Sequence, residues 1–295
     1  MKNWVPLSSA SVALGSIFGG MAIAPVPMAT ATVAQPDATP MPVNASGSHF
    51  YKYAEFTGDR RRWLKELILE HRLYLPRLSQ LNDPADGRPK LARNSEDQLF
   101  TFLYNSPFGV LGRNPRMTVE DQVREAAILD VNISKHGSET LMRSLAKCLN
   151  AELDDWRIYS LSKRYDNLSM WAKYAGNHAG YCLEFVNVGP FFTCAKEVSY
   201  GKYVEMDISN RDHLNGYWFF CKSQEWRDEE EVRILVARGS DSVLGIDPSW
   251  LTRVMLGWKM PRSDRAQIRE WAKQRSPELR VVEASYDELD QILRM

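Results

Sequence analysis

Four cysteines are spread over 295 residues (Cys148, Cys182, Cys194 and Cys221), and none forms a Cys-x-x-Cys pair. That spacing excludes a zinc ribbon, a dithiol redox motif and a disulfide-stapled scaffold. The five histidines, His49, His71, His136, His178 and His213, are scattered, with no His-x-x-x-His and no neighbouring cysteine, so no metal centre is expected. Neither a Gly-x-x-x-x-Gly-Lys phosphate loop nor a Gly-x-Ser-x-Gly nucleophile elbow occurs. Charge of one sign is also lacking: 37 Lys plus Arg balance 37 Asp plus Glu. The broad positive field that drives sequence-independent nucleic-acid binding is therefore absent, and no strong nucleic-acid or membrane partner is indicated.

The amino-terminal segment is a different kind of chain. Between Lys2 and Asp37 it carries no charge, and it holds Pro6, Pro25, Pro27, Pro36, Pro40 and Pro42. Ser8, Ser9, Ser11, Gly15, Gly19 and Gly20 dilute its apolar centre, so it lacks the run of about 20 apolar residues that a membrane span needs. Two descriptions fit residues 1–48. One is a disordered leader, or an upstream start assigned too early, with the chain then cytoplasmic. The other is a secretory signal with a small-residue cleavage site at Ala29-Thr30-Ala31, with the chain exported. The folded part is expected to be one domain over residues 49–295.

From Phe50 onward helical and strand patterns alternate. Phe50-Tyr51-Lys52-Tyr53 reads as a strand, and Asp59 as the cap of a helix in which Trp63, Leu64, Leu67, Ile68 and His71 recur at helical spacing. Leu73-Tyr74-Leu75 is a brief strand. Asn82-Asp83-Pro84 and Asp86-Gly87 are turn formers, because Asn and Asp bond their own backbone and Pro sets φ. Residues 96–150 are mostly helical, with a capped start at Thr118 and Asp121. Trp156 to Leu161 is a strand. Asp166 then caps a helix bearing Leu168, Trp171, Tyr174, Ala175 and His178, and Gly180 offers the left-handed residue that ends it. Strands follow over Tyr181 to Phe185, Val198 to Tyr203 and Leu251 to Leu256. Ser263-Asp264 caps a helix through Lys273, and Tyr286 to Met295 reads as a short amphipathic helix.

The densest chemistry lies between Lys222 and Val236. As a strand, residues 229–237 turn Val232, Ile234 and Val236 into a core and Glu229, Glu231, Arg233, Leu235 and Ala237 the other way. That second face begins polar and ends apolar, as at the mouth of a cleft. Carboxylates at i and i+2 sit roughly 7 Å apart, so one can orient a hydroxyl while the other stabilises developing positive charge. The competing description is a solvated charge ladder on an edge strand, with Arg233 neutralising a glutamate.

Taken in order, these blocks resemble a bacterial family catalogued as domain of unknown function 2971. The resemblance rests on Tyr51-Lys52-Tyr53, Asn82-Asp83-Pro84 with Asp86, and Ser160-Leu161-Ser162. It continues with Met170-Trp171-Ala172-Lys173-Tyr174-Ala175, His178, Gly180, Glu184-Phe185 and Val198-Ser199-Tyr200. Lys222, Trp226, Glu229, Glu231, Arg233 and Gly257 complete it. Ala85 stands where that family usually has an aromatic, and residues before Phe50 have no counterpart in it. A looser likeness is to the ADP-ribosyltransferase superfamily, in which an early strand, a Ser or Tyr strand followed by an aromatic helix, and a late strand Glu occur in this order. It implies a single α+β domain with a small mixed, split sheet and flanking helices that binds NAD in a cleft. Carried onto this chain, it implies Tyr51, Lys52, Ser162, Trp171, Tyr174 and His178 around NAD, Glu231 as the catalytic acid and Glu229 assisting. A non-catalytic effector or interaction domain is the alternative.

Residues 1–48 lack the charge contrast and periodicity of a packed element, so deleting them is expected to leave the thermal melting midpoint nearly unchanged. A fall of several degrees contradicts this. N-terminal sequencing of the protein from its source distinguishes the two descriptions, a start near Thr32 or Gln35 marking a cleaved signal.

Overall fold

A computed structural model describes residues 49–93, 97–98, 118–154, 156–201, 205–207, 216–236, 241–287 and 292–294. The leader, residues 99–117 of the expected helical stretch, Tyr203 and Ala237 lie outside the described residues. Seven strands form the main sheet: β1 (His49–Ala54), β2 (Arg157–Ser162), β3 (Tyr181–Val186), β4 (Lys196–Glu197), β5 (Glu231–Val236), β6 (Leu251–Leu256) and β7 (Arg280–Glu283). Their spatial order is β7-β6-β3-β1-β2-β5-β4. All neighbours run antiparallel except β6 and β7, so the sheet is mixed and the fold is α+β.

Helices cover both faces. Strand alternation sends Phe50, Tyr159, Leu161, Leu183, Phe185, Val232, Ile234 and Val254 to one side. There they pack against Leu64, Leu67 and Ile68 of α1 (Gly58–Glu70) and, at the carboxyl end, Ile268 and Trp271 of the helix Arg262–Gln274. Fully burying each such side chain contributes roughly 1.5–3 kcal/mol. Two further helices, α2 (Val119–His136) and α3 (Ser138–Asp154), follow α1 in the chain, and Leu149 and Leu153 of α3 are buried. The opposite sheet face carries Tyr51, Tyr53, Cys182 and Met255, covered by Met170 and Trp171 of α4 (Leu168–Tyr174). The helix Arg262–Gln274 is α5.

Several expected boundaries move for local reasons. Thr57 precedes α1 and Asp59 lies in its first turn, while His71 ends the helix in the left-handed region at φ 57°. Asn167, not Asp166, caps α4, its side-chain oxygen accepting from Met170 N at 3.2 Å. Asp166 instead accepts from Arg164 Nε at 2.9 Å, and that contact holds its carboxyl below the usual carboxylate range. Pro261 precedes α5, with Asp264 in its first turn. The expected capping box at Thr118 and Asp121 is present, each residue's backbone N–H meeting the other's side-chain oxygen at 3.1 Å. The expected terminal helix is a correction. Ser285–Asp287 pairs antiparallel with Ile292–Arg294, and Tyr286 stacks on Trp258 with ring centres 5.6 Å apart. Ten residues are too few for apolar periodicity to separate a helix from a hairpin.

Gly180 does not end α4 with a left-handed residue; Gly176, Asn177 and His178 have positive φ there instead. Gly180 is needed for close approach. A Cβ on it would lie 2.3 Å from the Ala54 carbonyl oxygen, and one on Gly257 would lie 2.1 Å from that of His178. Gly257 N in turn donates to Gly180 O at 2.9 Å, which locks the ends of β3 and β6 together. Gly257→Ala is therefore expected to destabilise by about 1–3 kcal/mol or more, since backbone must move. Urea unfolding of the variant measures it.

Candidate functional site: a cleft where the sheet splits

β1 and β2 share a single register pair, Tyr51 with Ser162, whereas β1 pairs with β3 along its whole length. The sheet is split at that point. The shared register also draws one line across four strand pairings on the α4 face: Arg253 opposite Glu184, Glu184 opposite Tyr51, Tyr51 opposite Ser162, Ser162 opposite Glu231. A cavity of about 320 Å³ opens at the split, walled by Tyr51, Lys52, Ser162, Tyr174, Lys222, Glu229 and Glu231 among others. That volume lies at the lower end of the range for small-molecule sites.

The floor is a buried ionic cluster. Lys222, on the short strand Cys221–Ser223, is followed by a tight 3-10 turn over Gln224–Glu229, and Glu230 then takes φ 44°. This turn folds the chain back so that Lys222 Nζ stands 2.6 Å from Glu229 Oε2, 3.0 Å from Glu231 Oε2 and 3.5 Å from Asp86 Oδ2. Arg233, with 0% of its surface exposed, donates from Nε to Glu231 Oε1 at 2.7 Å. Its Nη2 reaches both Asp86 oxygens, at 2.7 and 2.8 Å, and its Nη1 the Phe219 carbonyl at 2.7 Å. Tyr174 OH donates to Glu229 Oε1 at 2.7 Å, and Glu231 N donates to Tyr200 OH at 2.7 Å. The Lys222 ammonium lies 5.1 Å from the centre of the Trp226 ring, a cation–π contact.

Three carboxyl groups against two cations make the acids unequal. Burial pushes the Glu231 carboxyl up, but Arg233 and Lys222 together outweigh it and bring the value down to about 2. Burial raises Glu229, and Lys222 only partly offsets it. Burial also raises Asp86 despite its bonds to Arg233, because the negative Glu231 lies beside it. One carboxylate is thus held ionised while its neighbour retains affinity for a proton, which is the arrangement that separates an electrostatic role from a proton-transfer role.

Of the residues singled out from the sequence, Tyr51, Lys52, Ser162, Tyr174, Glu229 and Glu231 meet around this cavity. Trp171 and His178 do not line it. Trp171 is fully buried, donates from Nε1 to the Tyr165 carbonyl and packs edge-on against Tyr53. His178 lies beyond α4 at φ 71° and stacks on Trp258 with ring centres 4.0 Å apart; burial lowers its basicity. The helical stripe predicts one continuous face, but α4 ends at Tyr174, so His178 turns away from Tyr174. The charged strand is also corrected. Glu229 belongs to the preceding 3-10 turn, and β5 lies between β2 and β4 with Glu231 and Arg233 buried, so it is no solvated edge ladder.

Asp86 is the residue that sequence reasoning undervalued. Asp83 does act as the turn former, accepting from Ala85 N at 2.9 Å, but Asp86 is turned inward onto Arg233. Its only signal was its place in the resemblance, as the second acidic residue after Asn-Asp-Pro. Glu184, for its part, is met by Arg253 and by Thr252 Oγ1, and stays outside the Lys222 cluster. Among the described residues no grouping of His, Cys, Asp or Glu forms a metal centre, and no helix is long and apolar enough to cross a membrane. No family model, curated protein or solved structure matches this chain.

Removing one member of a buried cluster leaves its partner uncompensated. Glu231→Gln is expected to destabilise by about 3 kcal/mol near neutral pH by that mechanism. Because the folded value of Glu231 is depressed, its contribution is present above the ordinary value of 4.5 and is lost as pH falls towards about 2. Urea unfolding of wild type and variant across that window therefore shows their difference shrinking with acidification. A difference independent of pH contradicts the assignment.

Proposed function

We propose that the cleft binds NAD and that the protein is an ADP-ribosyltransferase-like enzyme, with Glu231 as its catalytic carboxylate and Glu229 assisting. The observation that carries this reading is the convergence of Tyr51, Lys52, Ser162, Tyr174, Glu229 and Glu231 on one cavity at the split of the sheet. The resemblance of these same residues to the family of unknown function and to the transferase superfamily supports it. The cavity fits the reacting half of a dinucleotide better than the whole: its volume is small, its walls include the aromatic Tyr51, Tyr74 and Trp226, and Arg60 stands on its lining as a cation for phosphate.

NAD would supply an N-glycosidic bond whose cleavage releases neutral nicotinamide and leaves positive charge on the ribose. Glu231, ionised down to about pH 2 and held in place by Arg233 and Lys222, stabilises that charge more effectively in a desolvated cleft than water does. Glu229 is the more basic carboxyl and takes the proton of the attacking hydroxyl or water, with Tyr174 holding its other oxygen. Tyr51 offers a ring beside the opening, and Ser162 fixes the turn by donating to the Glu229 carbonyl at 2.8 Å.

A second reading has its own support. Both Glu231 oxygens already accept from Arg233 or Lys222, and the residue is only 5% exposed. A cluster so fully paired serves equally as the internal brace of a non-catalytic effector or interaction domain.

Calorimetry with NAD on the wild-type chain separates the two, since absence of binding at millimolar NAD ends the transferase reading. Given binding, Glu231→Gln is expected to keep NAD affinity and lose turnover by about a hundredfold or more, with near-ultraviolet circular dichroism checking that the variant is folded. Glu229→Gln is expected to lose less or to change acceptor preference.

A further inference from the structure

The cleft holds two lysines of opposite character. Lys222 stands within 3.5 Å of three carboxyl groups. Lys52, on β1 beside the split, is matched by no carboxylate within 4.0 Å among the described residues. Its ammonium makes one hydrogen bond, donated at 2.8 Å to the Ser160 carbonyl, and lies 5.0 Å from the centre of the Tyr159 ring. β1 and β2 have parted here, so Lys52 Nζ bonds a carbonyl of the neighbouring strand beyond their single register pair.

We propose that Lys52 is a nucleophilic amine that captures a small aldehyde or ketone in the cleft as an imine. A neutral amine attacks an electrophilic carbonyl carbon, and nothing in its surroundings commits this nitrogen to a structural ion pair. The flanking Tyr51, Tyr159 and Leu183 favour a flat or apolar body on the ligand, and the cavity size limits it to a small molecule. The nitrogen lone pair forms the C–N bond, and both amine protons leave with the carbonyl oxygen as water. The C=N bond closes with no oxidant or reductant. Burial brings the Lys52 ammonium down to about 8. Of the charges acting on it, Glu231 and Glu229 favour the ammonium while Arg60 and Lys222 oppose it. At pH 7 roughly a tenth of Lys52 is then free amine, against less than about one part in a thousand for an ordinary lysine. This chemistry goes beyond the dinucleotide reading and does not depend on it.

The test uses the full chain with pyridine-3-carboxaldehyde and sodium cyanoborohydride, which reduces an imine to a stable secondary amine, followed by peptide mass spectrometry. No NAD is present, so failure to bind NAD and failure of this proposal are read separately. Lys52 is expected to be modified at least about tenfold faster than the exposed Lys65 and Lys259 at neutral pH, because its free-amine fraction is larger. Its rate should reach half its plateau near pH 8. Modification of Lys52 no faster than of Lys65 and Lys259, or chiefly at Lys222, overturns the proposal.

Discussion

Burying the Arg233 guanidinium is the constraint on which the rest of this molecule depends. A cation removed from water loses several kcal/mol of hydration, and only several partners of good geometry offset that. Here they come from separate parts of the chain: Asp86 from the loop after α1, the Phe219 carbonyl from the segment before Lys222, and Glu231 from the same strand. Lys222 then becomes necessary, because two carboxylates on one guanidinium leave excess negative charge and Glu229 adds more. Each ion in the cluster is explained by the next. The turn at Glu229 and Glu230, the inward rotation of Asp86 and the placing of Tyr174 against Glu229 all follow from satisfying that cluster.

The split between β1 and β2 has a related origin. Tyr51 and Ser162 hold the two strands at one pair, and beyond it Lys52 satisfies a freed carbonyl in place of the ladder. The Ser160 carbonyl thus keeps a donor where the ladder stops, as a buried acceptor requires. Packing fixes the two walls of the opening: α1 backs one sheet face, and α4, pinned by Trp171 against Tyr53, backs the other.

Within that opening, environment gives chemically similar side chains different properties. Glu231 and Glu229 are both buried and both contact Lys222, yet Arg233 reaches only the first, so one stays ionised and the other is drawn toward its neutral form. Lys52 and Lys222 divide in the same way, one short of carboxylate partners and one surrounded by them. Such divergence within a single cavity is what acid–base and nucleophilic chemistry require.

Periodicity alone determined much of this protein. The strands Tyr181–Val186 and Leu251–Leu256, the buried stripe Leu64, Leu67 and Ile68, and the capping box at Thr118 follow from side-chain alternation, helical spacing and local hydrogen bonding, none of which needs a distant partner. The α+β class was legible for the same reason, whereas the six cleft residues from Tyr51 to Glu231 were singled out through the resemblance and the charged segment, and Glu229 lies in a 3-10 turn that strand alternation does not foresee. Only the tertiary structure decided the fate of Asp86, Trp171, His178 and the final hairpin. Asp86 carries every local sign of a turn former and becomes an ion partner because Arg233, 147 residues away, needs one. Trp171 and His178 lie on one helical stripe in sequence, but α4 stops at Tyr174, so Trp171 goes to the core and His178 to Trp258. Ser285–Asp287 is a strand because Ile292–Arg294 pairs with it. In each case, a contact that side-chain periodicity does not specify or an early helix end outweighed a local preference worth about 1 kcal/mol or less.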